Sequence, residues 1–119
     1  MQIVAIVWQP NARWEALSHD DKVAYLRSLD DVIRDARAAG IMTLGWSAID
    51  SRLERAPDEG FIGVFGMDDA EKALAFEKLA GDAKWYDYFD STNISINLQG
   101  AAATEPSQVY AQLVGVDLT

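Results

Sequence analysis

The sequence predicts an α+β fold, a four-stranded antiparallel sheet with two helices on one face. Three observations predict it. Four short apolar runs and two segments of helical period occur in the order β-α-β-β-α-β. Two of the runs are apolar on both faces and two on one face only. The chain has 119 residues, about one domain's worth, and half are hydrophobic, too many for disorder at a net charge of −9.

The first strand is predicted from Gln2 to Trp8 and ends at Pro10, which has no N–H for a ladder. Asn11 to Leu17 reads as a loop carrying Trp14. A helix then starts at Ser18, a natural N-cap, with Asp20 and Asp21 where the helix dipole favours negative charge. Val23, Leu26, Leu29, Ile33 and Ala36 recur at steps of three and four and make one face. Gly40 follows Arg37 as a stop signal.

The second strand runs from Ile41 to about Ala48, with Met42, Leu44 and Trp46 alternating against Thr43, Gly45 and Ser47. Asp50 to Gly60 is a polar connection, and Phe61 to Gly66 is the third strand. Asp68 or Asp69 caps the second helix, whose apolar face is Ala73, Phe76, Leu79 or Ala80, and Ala83. Trp85 to Phe89 closes that helix. The fourth strand is Asn93 to Leu98, with Ile94, Ile96 and Leu98 alternating against Asn93, Ser95 and Asn97. A short tail helix is predicted from about Glu105 to Val114, with Pro106 in its first turn. The chain reads as one domain over 1–119, with a core at 2–98 and a C-terminal extension at 100–119.

With right-handed crossovers this order gives a ferredoxin-like sheet of strand order 4-1-3-2, with strands 1 and 3 central. The doubly apolar runs are those two strands. Ile3, Ala5 and Val7 oppose Val4, Ile6 and Trp8, and Phe61 and Phe65 oppose Ile62 and Val64. Two helices cover one face only, so the second face needs another cover. The tail helix could supply part of it and a second copy all of it. At ~25 cal/mol per Å² of apolar surface, leaving that face wet forgoes several kcal/mol. A symmetric homodimer through the sheet face is therefore expected.

Composition excludes several chemistries. There is no cysteine, which removes disulfides, thiolate metal sites and a thiol nucleophile, and one histidine cannot make a two-histidine metal site. No metal and no cofactor are expected. The negative charge argues against nucleic acid and anionic lipid, whose binding Lys and Arg supply. Gln2 to Trp8 has no basic flank and falls far short of the ~20 apolar residues that span a bilayer, so a cytoplasmic protein with no membrane partner is expected. Gly60, Gly63 and Gly66 do not have phosphate-loop spacing.

The topology over about residues 2–98 resembles that of the dimeric α+β barrel superfamily. Pro10, Trp14, Leu17, Ser18, Asp21 and Lys22 resemble the opening of darcynin-like small bacterial proteins. Trp85-Tyr86-Asp87-Tyr88-Phe89 with Asn93 resembles a signature of one uncharacterised family of that kind. The resemblance implies a fold and a two-protomer barrel. It establishes no catalytic residues. The superfamily includes cofactor-free and haem-dependent oxygenases and isomerases, and His19, in an acidic helix start, is poorly placed as a haem ligand.

Four tryptophans, Trp8, Trp14, Trp46 and Trp85, are the most unusual feature. They suit either an aromatic-lined pocket for a flat organic molecule or plain packing. Tyr86, Asp87, Tyr88 and Asn93 cluster where the second helix meets the fourth strand. Tyr86 and Tyr88 diverge by about 200° on a helix, so they cannot share a face. Asp87 or Asp90 would serve as a base only if buried. Asn93, Ser95 and Asn97 form a polar stripe, which lines a cavity or keeps an edge strand wet. The candidate pocket is thus Trp8, Trp46, Tyr86, Tyr88 and Asn93, with no catalytic residue assigned. The first reading is a homodimer that binds a small apolar or aromatic ligand. The alternative is a cofactor-independent oxygenase or isomerase acting on an aromatic or polyketide-like compound.

Overall fold

The computed structural model describes residues 1–57, 60–98 and 106–115. Its elements are β1 (Gln2–Pro10), α1 (Ala12–Glu15), α2 (His19–Ala38), β2 (Met42–Ala48), β3 (Phe61–Met67), α3 (Ala70–Asp82), α4 (Trp85–Tyr88), β4 (Phe89–Asn97) and α5 (Pro106–Val114). The sheet order is β2-β3-β1-β4, which is 4-1-3-2 counted from the β4 edge. Every pairing is antiparallel, and β1 and β3 are central.

Register decides what each face holds. Val4 pairs with Phe65, and Ile6 with Gly63. Val4, Ile6, Phe65 and Met67 point into the core with Phe76 of α3 and Ala36 of α2. The rings of Phe65 and Phe76 lie 4.4 Å apart. Both long helices therefore pack on this face. The opposite face carries Ile3, Ala5, Val7, Ile62 and Val64, all half-buried.

The helices start where the caps predict. The Ser18 hydroxyl accepts from the Asp21 N–H at 3.1 Å, and the Asp69 carboxylate accepts from the Lys72 N–H at 2.9 Å. Gly40, at φ 92, ends α2 in a conformation that favours glycine. Leu29, Ile33 and Ala36 face the sheet, but Leu26 is exposed and Tyr25 packs against the core instead. The Asn11–Leu17 loop contains one helical turn, capped by Asn11, which accepts from the Trp14 N–H at 3.2 Å.

Two expectations need correction. The run Trp85–Phe89 does not close α3. Lys84 is left-handed, at φ 63, and starts a separate turn, after which Phe89 already belongs to β4. In β2, Met42, Leu44 and Trp46 do not share a face. A bulge between Thr43 and Gly45 shifts the register, so Thr43 opposes Phe65 while Trp46 opposes Gly63. Met42 and Leu44 stay on the open face, and Trp46 turns to the helices.

That open face also carries Ile94, Ile96 and Leu98, each at least 41 % exposed. The isoleucines of β4 thus point away from the helices, and its Asn93 and Ser95 point toward them. On α5, Val109, Leu113 and Val114 are exposed, so these positions do not cover the sheet. The start of the tail helix expected at Glu105 lies outside the described residues.

Candidate functional site

Between α2, α3 and the sheet lies a cavity of about 70 Å³. Ile33 and Ala36 of α2, Phe76 of α3, Ile6 of β1, Trp46 and Trp85 are among its lining residues, and every lining residue is apolar. The β2 bulge is what brings Trp46 here. Gly63 makes room for it, since a Cβ there would stand 2.8 Å from the indole. The left-handed Lys84 turns Trp85 inward, leaving it 7 % exposed. Trp8 braces both rings edge-on, at 5.2 Å from Trp46 and 5.1 Å from Trp85, and stacks on Phe61. Trp8 supports the cavity and does not line it. The Trp85 Nε1–H is the one buried side-chain polar atom among the described residues without a hydrogen-bond partner.

Tyr86 and Asn93 meet elsewhere, beside a groove of about 260 Å³ between α3 and β4. The Asn93 amide donates to the Tyr86 hydroxyl and to the Glu77 carboxylate, each at 2.8 Å. Its carbonyl oxygen accepts from the Ser91 hydroxyl at 2.9 Å. The Gln2 amide donates to the Ser95 hydroxyl at 2.6 Å along the same stripe. Burial raises the Tyr86 hydroxyl above its ordinary pKa; the Asn93 hydrogen bond lowers it and the Glu77 charge raises it. Both sequence-based readings of the polar stripe apply: Asn93 and Ser95 line a groove, and β4 is an edge strand on which Ser95 and Asn97 are exposed.

Tyr88 belongs to a third group, with its ring 4.8 Å from Tyr25 and 6.0 Å from Trp14. The Tyr25 hydroxyl donates to the Ala83 carbonyl at 2.7 Å, tying α2 to the end of α3. Burial, with Tyr88 and Asp87 nearby, pushes the Tyr25 phenol up to about 12. Tyr86 and Tyr88 do diverge as the helical spacing requires.

The five predicted pocket residues therefore do not form one site. Trp46 lines the cavity, Trp8 braces it, Tyr86 and Asn93 stand at the α3–β4 groove, and Tyr88 is in the Trp14 cluster. Asp87 and Asp90 are exposed, so neither carries the burial a tuned base needs. Asp87 stands 4.0 Å from Arg13. His19 is exposed at the start of α2. Among the described residues no group of three or more His, Asp or Glu could hold a metal ion. No described helix is long and apolar enough to cross a membrane.

Over residues 1–116 the chain matches a family of unknown function, DUF6616. The chain belongs to that family. No curated protein matches it. The match names neither the dimeric α+β barrel superfamily nor darcynin.

What a DUF6616 fold of this geometry can do differs between its two sites. The cavity offers apolar burial, and no acceptor or titratable group stands among its lining residues. The α3–β4 groove offers the Glu77 carboxylate, the Asn93 amide and the Ser95 hydroxyl, beside apolar Phe76 and Ile94. From the sequence, Trp85 counts among the four tryptophans but not in the candidate pocket, and Glu77 goes unnoticed. The aromatic run signalled Trp85, but only the left-handed turn at Lys84 shows where its ring goes. Glu77 carries no sequence signal beyond its helix position.

Proposed function

We propose that this DUF6616 protein is a small-molecule binding protein whose site is the cavity between sheet and helices. The observation that carries this reading is the wholly apolar lining under two indoles. An apolar cavity of about 150 Å³ takes up benzene. One of about 70 Å³ suits a smaller apolar body, or the end of a larger aromatic molecule. Thermal unfolding with a panel of small aromatic and alicyclic compounds tests it. A binder at 100 times its Kd adds about 2.7 kcal/mol, a shift of several degrees. The shift should vanish in Ala80→Leu, which fills the cavity. A panel with no shift rejects the reading.

The binding unit is proposed to be a homodimer of ferredoxin-like protomers, closed sheet to sheet as an α+β barrel. Support comes from the open apolar face. Four strands about 4.8 Å apart and roughly 25 Å long project about 480 Å². Two such faces, with side-chain relief added, approach the ~1,200 Å² of a small stable interface. Sedimentation at micromolar concentration should report twice the chain mass, and a monomer would reject this assembly. One observation favours a catalytic reading, a cofactor-independent oxygenase or isomerase acting on an aromatic or polyketide-like compound. Asn93 holds the Tyr86 hydroxyl and the Glu77 carboxylate at one groove, where they would orient a carbonyl substrate. Turnover lost in Tyr86→Phe with binding retained would support it.

A further inference from the structure

The Glu77 carboxylate does not trail into solvent. It reaches from α3 across to β4, where the Asn93 amide donates to it at 2.8 Å. Asn93 is held in turn, its carbonyl oxygen accepting from the Ser91 hydroxyl at 2.9 Å. Both amide hydrogens of Asn93 are spent, one on Glu77 and one on the Tyr86 hydroxyl. The carboxylate has lone pairs to spare, since it has four acceptor sites or so. Among the described residues no Lys, Arg or His forms an ion pair with it. The lysines of its own helix pair elsewhere, Lys72 at 3.5 Å from Asp68 and Lys78 at 3.0 Å from Asp82. Burial keeps the Tyr86 hydroxyl protonated beyond its ordinary range, so the charge of this cluster is the single negative charge of Glu77.

Glu77 and Asn93 both line the groove of about 260 Å³ between α3 and β4. Its other walls are largely apolar. Val4 and Phe76 are buried in the core and show their edges here, Ala70 and Ala73 leave room, and Leu74 stands 70 % exposed. A carboxylate fixed beside wet apolar surface lacks a cation that carries hydrocarbon. We propose that the α3–β4 groove is a second binding site, for a small organic ammonium whose charge meets Glu77 and whose hydrocarbon body covers Ala73, Leu74 and Phe76. This site is separate from the apolar cavity and does not depend on it. The ligand is a cation because a charge-assisted bond to the carboxylate outweighs a neutral one, and an anionic ligand would set like charges together. The remaining ammonium hydrogens face the groove mouth and water, so none is buried without an acceptor. The net charge of −9 draws cations to the whole surface. Only the fixed carboxylate chooses this groove.

Benzylamine, benzyl alcohol and benzoate test this at neutral pH, where the first is an ammonium and the last an anion. Each is titrated while the side-chain amide and indole ¹H–¹⁵N resonances are followed, the Asn93 signal being identified by its loss in Asn93→Ser. Benzylamine should bind about fivefold more tightly than benzyl alcohol, the upper range for an ion pair open to water, and benzoate most weakly. The Asn93 amide should shift with benzylamine. In Glu77→Gln, which keeps an acceptor for Asn93, the preference for the amine should disappear. A preference that survives in Glu77→Gln is general attraction to an acidic surface and overturns the proposal. Equal affinities in the unaltered protein, or no binding by any probe, overturn it as well. Shifts confined to the indoles of Trp46 and Trp85 overturn the groove site and leave the cavity reading standing. Should Glu77→Gln fail to fold, the affinity ranking and the Asn93 shift in the unaltered protein decide the matter.

Discussion

Gly63 stands opposite Trp46 across the β2–β3 pairing, and a Cβ there would lie 2.8 Å from the indole. Gly63→Ala should therefore cost about 1–3 kcal/mol through overpacking, read as a lower urea midpoint. An unchanged midpoint would mean that Trp46 sits loosely. Tyr25 gives a second prediction. Its phenol is neutral in the fold up to about 12, whereas a free tyrosine ionises near ~10. Between those values the unfolded chain releases a proton that the folded chain keeps, so rising pH favours unfolding. Stability should hold below pH 10 and fall from there toward 12, and Tyr25→Phe should flatten part of that slope. Urea midpoints at pH 9 and pH 11 check it. At this scale Ser18 was legible in the sequence, because a cap acts on neighbours three residues away. Tyr25 was not, because its burial beside Tyr88 and its bond to Ala83 both come from residues far along the chain.

Elements were legible where local signals repeat and illegible where one residue breaks the repeat. The two-sided apolar runs identified β1 and β3 as central strands before any pairing was known. The β2 bulge left no mark, since Leu44-Gly45-Trp46 alternates well on paper. The sequence therefore put Trp46 on the face of Met42. The left-handed Lys84 was equally silent, because lysine carries no preference for that conformation. The turn Trp85–Tyr88 that Lys84 starts is separate from α3, so the faces of Trp85 and the two tyrosines do not continue those of α3. Lys84→Gly would remove a strain of about 1–2 kcal/mol and add some chain entropy to the unfolded state. The net expectation is equal or greater stability, by up to about 1 kcal/mol, in urea unfolding. A clear loss would mean that the lysine side chain, not the backbone geometry, matters there.

The molecule as a whole has one finished face and one unfinished face. Val64 lies at the middle of the unfinished one, opposite Ala5 on the central pair. Val64→Lys would place a charge at the centre of the proposed sheet-to-sheet contact. Sedimentation should show a shift to monomer with the far-ultraviolet dichroism unchanged. A dimer that persists would place the contact elsewhere. The scattering of the candidate pocket also becomes intelligible at this scale. Residues adjacent in sequence, such as Tyr86 and Tyr88, diverge, whereas Trp46 and Trp85 converge only through the closed layer of sheet and helices.

The two margins of the sheet are unlike. β2 is kinked by its bulge, and β4 pairs in unbroken register from Phe89 to Asn97. Head-to-tail polymerisation by strand addition needs one edge to accept the other, and the kinked margin is a poor template for that. Pairing β4 with β4 is self-complementary and exhausts itself at two copies. Any misassembly of this chain through its strands should thus stop at a closed pair and not propagate into fibres.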